Sequence, residues 1–332
     1  MVFALVGFSI CALIIFLAGK KLSYYGDLLS ELTGLGKAWI GMILMASVTS
    51  LPELMVGVSS VSIVQSPDLA VGDIFGSCAF NLFILSMMDA FVPGKKPILG
   101  MANRSHILAA VFGILLLTMA GLGLFLESDF VLTPSIGLIS ISFALIYFIS
   151  MRSIYLFQQS QSASPQEEIV SHTNLKLKQV VFRYSIFALI IIGTALALPH
   201  FAEQIAELSG LGKSFVGSVF LAISTSLPEI AVSLAALRIG ASEMAIGNLL
   251  GSNLFNIFIL FLDDVFYLKG HLLKDASDNN LLSVLFVIAM TAVAIIGIVF
   301  PAKEKRWLMA ADSFMIFMLY LINIFMLYHF QA

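Results

Sequence analysis

Two glutamates occur where an apolar segment has no ordinary use for them. Residues 47–56 read SVTSLPELMV and residues 223–232 read ISTSLPEIAV. Each stretch lies inside a long apolar run and sets a proline against a glutamate, Pro52–Glu53 and Pro228–Glu229. Proline has no N–H, so in a helix the carbonyls of Val48 and Ser224 lose their partners. Freed carbonyls, neighbouring hydroxyls (Thr49, Ser50, Thr225, Ser226) and a carboxylate make a set of hard oxygen donors. Such a set suits Na+ or Ca2+, not zinc or copper. A charge at the centre of a membrane helix costs about 2.5–3.5 kcal/mol on insertion scales, so two of them need a reason. A plain interhelical hydrogen bond is the alternative, but it does not explain why the proline and hydroxyls come with the acid both times.

The elements that must carry these residues are membrane helices. The chain has 332 residues, 60% hydrophobic and 11% charged, with a net charge of −3. A soluble domain of that composition could not cover its surface. The apolar segments have the length a helix needs to cross about 30 Å of hydrocarbon, and they lack the short alternating pattern of a β-barrel. Ten spans are expected, at 2–18, 39–63, 69–91, 105–125, 131–150, 182–199, 214–237, 242–268, 281–300 and 307–329. Lys20 and Lys21 follow the first apolar stretch, the reverse of a signal peptide, so the first span reads as uncleaved. Cys11 and Cys78 fall in apolar segments and read as unpaired thiols. With the N-terminus outside, the inner loops hold Lys20, Lys21, Lys37, Lys95, Lys96, Arg104, Arg152, Lys176, Lys178, Arg183, Arg238, Lys303, Lys305 and Arg306. The outer side keeps Lys213, Lys269 and Lys274. The positive-inside rule thus supports ten spans with both termini outside, extracellular or periplasmic.

The chain repeats itself. ELTGLGKAWIGMILMASVTSLPEL (31–54) aligns with ELSGLGKSFVGSVFLAISTSLPEI (207–230), and LAVGDIFGSCAFNLFILSMMDAF (69–91) with MAIGNLLGSNLFNIFILFLDDVF (244–266). Five spans per half is an odd number, so the second half enters the membrane from the other side. The expected fold is all-α: ten transmembrane helices in two inverted five-helix repeats, with helices 2 and 7 broken at proline. Residues 1–150 form the first repeat, 151–181 a cytoplasmic linker and 182–332 the second repeat. Inverted repeats with discontinuous helices are typical of secondary transporters, which bind their substrate near the midplane.

TSLPE followed by a GxxxGSxxxN segment, present twice, resembles the α-repeats of the sodium/calcium exchangers, within the wider cation/Ca2+ exchanger superfamily. The resemblance covers both repeats and so nearly the whole chain. It implies an antiporter, and an ion site whose principal ligands are Glu53, Asn81, Glu229 and Asn256. It further implies supporting oxygens from Thr49, Ser50, Ser77, Thr225, Ser226 and Ser252 and from the carbonyls of Ala46 and Ala222. Many family members have an acid where this chain has Asn256, and the first repeat has Asp73 and Cys78 where the second has Asn248 and Asn253. Ion selectivity therefore stays open between Na+ coupling and H+ or K+ coupling. The GNxxE signature of the proton-coupled branch is absent, which favours Na+. Asp73, Ser77 and Asn81 are spaced four apart and share a helix face, so Asp73, two turns from Asn81, suits either an accessory acid flanking the central site or a hydrogen bond to a neighbouring span.

Other features read differently. Gly72, Gly76, Gly247 and Gly251 suit close helix packing. Asp89 and Asp264, also related by the repeat, suit either an ion entrance or a solvated helix end. The five histidines show no metal-ligand spacing, and the GLGK stretches lack the rest of a phosphate-binding loop. DDVF at 263–266 faintly resembles the Asp-rich motifs of intramembrane Mg-dependent prenyltransferases, but the further acids and arginines they need are missing. The expectation is a transporter and not an enzyme, with no cofactor. Its partners are the lipid bilayer and transported Na+ and Ca2+, with no nucleic acid, and it belongs in the cell (inner) membrane.

Overall fold

The computed structural model describes residues 1–126, 131–133, 136–161, 175–209, 223–305 and 308–330. The helices that position the site are α1 (Val2–Thr33), α2 (Lys37–Val64, with a break), α3 (Pro67–Phe91), α4 (Arg104–Phe125) and α5 (Leu138–Gln161), followed by α6 (Leu177–Ser209), α7 (Leu227–Arg238), α8 (Ser242–Phe266), α9 (Asn279–Val299) and α10 (Ala311–Phe330). Nine helices among the described residues are long and apolar enough to cross a membrane. The expected seventh span, 214–237, lies partly outside the described residues.

Three boundaries differ from expectation. Helices α1 and α6 run on well past the apolar stretches 2–18 and 182–199, to Thr33 and Ser209. Their additions carry charged and polar residues, and α1 continues until Gly34 caps it. Gly34 takes the left-handed conformation (φ 70°) and donates its N–H to Ser30 O at 3.0 Å. Before α5, Val131–Thr133 and Ile136–Gly137 form a short antiparallel ribbon in place of the expected helical start. Between α2 and α3, Gln65 turns the chain (φ 60°) and Pro67 starts α3 at a position where its missing N–H costs nothing.

The chain packs as two compact units. One comprises Met1–Leu51, Ala102–His106 and Met151–Ser252; the other comprises Pro52–Met101, Ile107–Ser150 and Asn253–Ala332. In the first, α1 lies against α6 and α7 over a core of Cys11, Ile15, Ala195, Leu227 and Ala231. Ser23 Oγ donates across to Val232 O at 2.8 Å, which pins α1 to α7. The first half of α2 meets α8 backbone to backbone. A side chain at Gly247 or Gly251 would overlap the carbonyls of Ala38 and Met42, which supports the close-packing reading for both glycines. In the second unit, α3 packs against α9 and α10, where Phe83 stacks on Tyr320 with ring centroids 4.5 Å apart. Both cysteines are free and buried.

Asp89 and Asp264 are not solvated helix ends. Both are buried. Asp89 accepts the N–H of Ile98 (2.7 Å) and of Ala310 (2.6 Å), with Lys305 Nζ 3.6 Å away. Asp264 accepts the N–H of Leu272 (2.8 Å) and of Gly137 (3.1 Å). Each acid ties the end of its own helix, α3 or α8, to the loop that follows. Each also ties it to the chain entering the last helix of the other half, α10 for Asp89 and α5 for Asp264.

Candidate cation-binding site

The proline breaks have the same shape in both halves. Helix α2 stops being helical at Ser50 (φ −91°, ψ 8°) and resumes at Leu51; α7 begins at Leu227 after Ser226 (φ −87°, ψ 5°). These dihedrals fall in the sparsely used bridge region, which loosens the helical ladder without turning the chain back. Pro52 and Pro228 sit in the first turn of the resumed helices, where a missing N–H is harmless. Glu53 and Glu229 follow in that same turn, at the positive end of the helix dipole. π-helical turns at Ile40–Met45 and Ser60–Val64 flank the break in α2, a distortion often found beside functional sites.

Within the first unit, Glu229 is fully buried. Its Oε1 accepts from Ser50 Oγ at 3.2 Å and from Ser252 Oγ at 3.4 Å. Its Oε2 has no hydrogen-bond partner among the described residues. Thr49 Oγ1 lies 3.3 Å from Ser252 Oγ, 3.3 Å from Ala46 O and 3.4 Å from Asn248 Oδ1. Thr225 and Ser226 are buried at the break in the second half. Thus Ala46, Thr49, Ser50, Ser252 and Glu229 come together around one carboxylate, while Ala222 lies outside the described residues.

Within the second unit, Glu53, Ser77, Asn81 and Asn256 are buried, and Asp73 nearly so. Asn81 Nδ2 donates to Asn253 Oδ1 at 3.0 Å, and Asn253 Nδ2 to Cys78 O at 3.2 Å. Asn81 Oδ1 and Ser77 Oγ have no hydrogen-bond partner among the described residues, and no geometrically sound bond reaches the Asn256 amide. Asn256 also stands beside the Cys78 thiol of α3. Buried polar atoms without partners are uncommon. Here they are mostly oxygens, and with the buried carboxylates of Glu53 and Asp73 they make a donor set that suits a hard cation.

Two residues, one in each of these clusters, were not expected from sequence. Asn248 bridges Thr49 and Ser233, and Asn253 bridges Asn81 and Cys78. Both are second-repeat residues whose mates in the first repeat are Asp73 and Cys78, so divergence between the halves was the available signal.

The profile of the sodium/calcium exchanger protein family matches residues 3–155 and 180–329. The chain belongs to the sodium/calcium exchanger family. Members of this family are cation/Ca2+ antiporters of the membrane. Among its relatives is the sodium/calcium exchanger MaX1 of Methanosarcina acetivorans, 26% identical over 307 residues that make up 82% of this chain and 85% of that one. Another is the inner membrane protein YrbG of Escherichia coli, 28% identical over 252 residues, 75% of each chain. Among solved structures, the sodium-calcium exchanger NCX_Mj superposes with a TM-score of 0.72 over 98% of this chain and 99% of its own, at 20% identity. That likeness establishes the fold of this family member as ten helices in two inverted repeats.

Proposed function

We propose that the chain exchanges Na+ for Ca2+ by alternating access, with Glu53, Asn81, Glu229 and Asn256 as principal ligands. Thr49, Ser50, Ser77, Thr225, Ser226, Ser252 and the carbonyls of Ala46 and Ala222 supply further oxygens, and Asp73 is accessory. The observation that carries the reading is the repeated break. Ser50 and Ser226 share one backbone geometry, and each delivers a buried glutamate at the start of a helix. Two carboxylates in low dielectric are neutralised by one Ca2+ or by two Na+. An empty carrier would hold both charges in an apolar interior without a cation, so it crosses only when loaded, and the two ions compete for one set of oxygens. Exchange is then obligatory and the sodium gradient drives it, with no cofactor. Helices α1 and α6, which pack on each other, are the moving pair.

The same reading places the protein in the cell membrane with both termini outside. Residues 1–150 and 182–332 are the two repeats and 151–181 the cytoplasmic linker. Asn256 is the observation that favours a second coupling ion, because an amide where relatives carry an acid leaves the site one carboxylate poorer. The deciding experiment is uptake of radiolabelled Ca2+ into proteoliposomes under outward Na+, K+ or H+ gradients. Uptake driven by Na+ alone supports the proposal, and uptake driven equally by H+ or K+ refutes it.

A further inference from the structure

The two halves differ at one buried place beyond these ligands. In the second half, Asn248 Nδ2 donates to Ser233 Oγ at 3.0 Å, a neutral pair closed on itself. By the repeat alignment the first half has Asp73 in place of Asn248 and Gly57 in place of Ser233. The hydroxyl is gone and the amide has become an acid. A third residue takes the vacated room. The carboxylate of Asp263 stands where a side chain on Gly57 would be. Its own repeat mate is Met88, so this acid has no counterpart. Asp263 is fully buried, and Asp73 is 8% exposed. Both oxygens of Asp263 and the Oδ2 of Asp73 have no hydrogen-bond partner among the described residues. The charges that act on Asp263 are Asp73 and Asp264, both negative, and Asp264 is already engaged by two backbone N–H groups. One turn along α3 from Asp73, on the same face, the buried Ser77 Oγ is also without a partner.

We propose that Asp73 and Asp263, brought together by the absence of a side chain at Gly57 and joined by the Ser77 hydroxyl, form a second cation site for a hard divalent ion. Two carboxylates match a charge of +2, and their oxygens suit Ca2+. Without a cation the pair is two buried like charges, each of which makes charging the other more costly. The choice of Ca2+ as occupant rests on the exchanger reading; the pairing of the acids does not.

The two acids stand apart from the central glutamates and asparagines, with Ser77 between the two groups on α3. Asp73 lies two turns, roughly 12 Å, from Asn81 along α3, and Asp263 lies two turns from Asn256 along α8. Gly57 is one turn from Glu53 on α2. Three helices therefore lead from the central ligands to this pair, toward the N-terminal end of α3. With the N-terminus outside, that end faces the exterior, and the pair is a station for Ca2+ on the outer path.

The test is equilibrium binding of radiolabelled Ca2+ to the purified full chain in Na+-free buffer. Two Ca2+ per chain are expected. Glu229→Gln should lose one and keep the other. Asp263→Asn, and Asp73→Asn as a copy of Asn248, should each lose the other and keep the one that Glu229→Gln removes. Gly57→Ser, a copy of Ser233, should weaken the second site at least tenfold. A single Ca2+ per unmutated chain overturns the proposal and needs no variant to fold. Two Ca2+ of unchanged affinity in Asp263→Asn overturn it as well. Two Ca2+ retained by Glu229→Gln, with one lost from Asp263→Asn, would uphold this site while refuting the central role of Glu229.

Discussion

Replacing Glu229 by glutamine tests the central carboxylate with little change of shape. Ser50 and Ser252 hold Oε1, at 3.2 and 3.4 Å, and leave Oε2 for a cation. The amide keeps one oxygen and removes one of two proposed ligand charges. Removing one partner of a buried ion pair costs about 3–5 kcal/mol. At 1.4 kcal/mol per decade that is about a 10²- to 4 × 10³-fold loss of Ca2+ affinity. Ser50→Ala removes one of two long hydroxyl contacts to the same carboxylate, worth about 1 kcal/mol, so its loss should be about fivefold. Stability gives an independent sign. Without cations Glu229 is a buried charge, and Glu229→Gln should melt higher than the unmutated chain. Ca2+ at a hundred times the Kd of the central site should stabilise the unmutated chain by about 2.7 kcal/mol through that site, and this share should be nearly absent in the mutant, which keeps only the increment of the Asp73–Asp263 site. Calorimetric Ca2+ titration and thermal melting with and without Ca2+ measure all three. The reasoning fails if Ser50→Ala weakens binding as much as Glu229→Gln, or if Glu229→Gln binds Ca2+ like the unmutated chain.

Two further outcomes are expected. Single cysteines at Ser164 and Ala332, in a chain lacking Cys11 and Cys78, should react with an impermeant reagent from opposite sides of the membrane, residue 164 from the cytoplasm; labelling from one side would refute the orientation. Asp89→Asn should lower stability by about 2–4 kcal/mol, because the amide nitrogen cannot accept a backbone N–H and Lys305 loses its counter-charge, while Ca2+ affinity stays unchanged; a loss of affinity at full stability would make Asp89 part of the ion path.

The fold was legible because each span is a long apolar run and the repeat is written in Pro, Glu, Gly and Asn, letters that apolar drift does not preserve. The polar extensions of α1 and α6 were less so. Hydropathy marks where hydrocarbon ends, and a helix can continue past that point until a residue such as Gly34 stops it. The break in α2 could be read from Pro52, but its location at Ser50 depends on backbone dihedrals. The role of Asp89 and Asp264 was not legible at all. A buried acid that clamps backbone N–H groups and one that guards a pore have the same sequence, and the donors are supplied by residues as distant as Ala310 and Gly137. Asp263 was hidden for a related reason, since only the missing side chain of Gly57 reveals what it faces.

The clamps at Asp89 and Asp264 are exchanged between the halves, and this bears on ancestry and assembly. A five-helix half made alone would present its acid with no donor from its own fifth helix, because that donor belongs to the other half. Two such halves complete each other only when inserted in opposite directions. A founding gene before duplication would thus have needed two copies of one product in opposed orientations. In the present chain, the start of the fifth helix stays unclamped until residue 264 emerges from the ribosome.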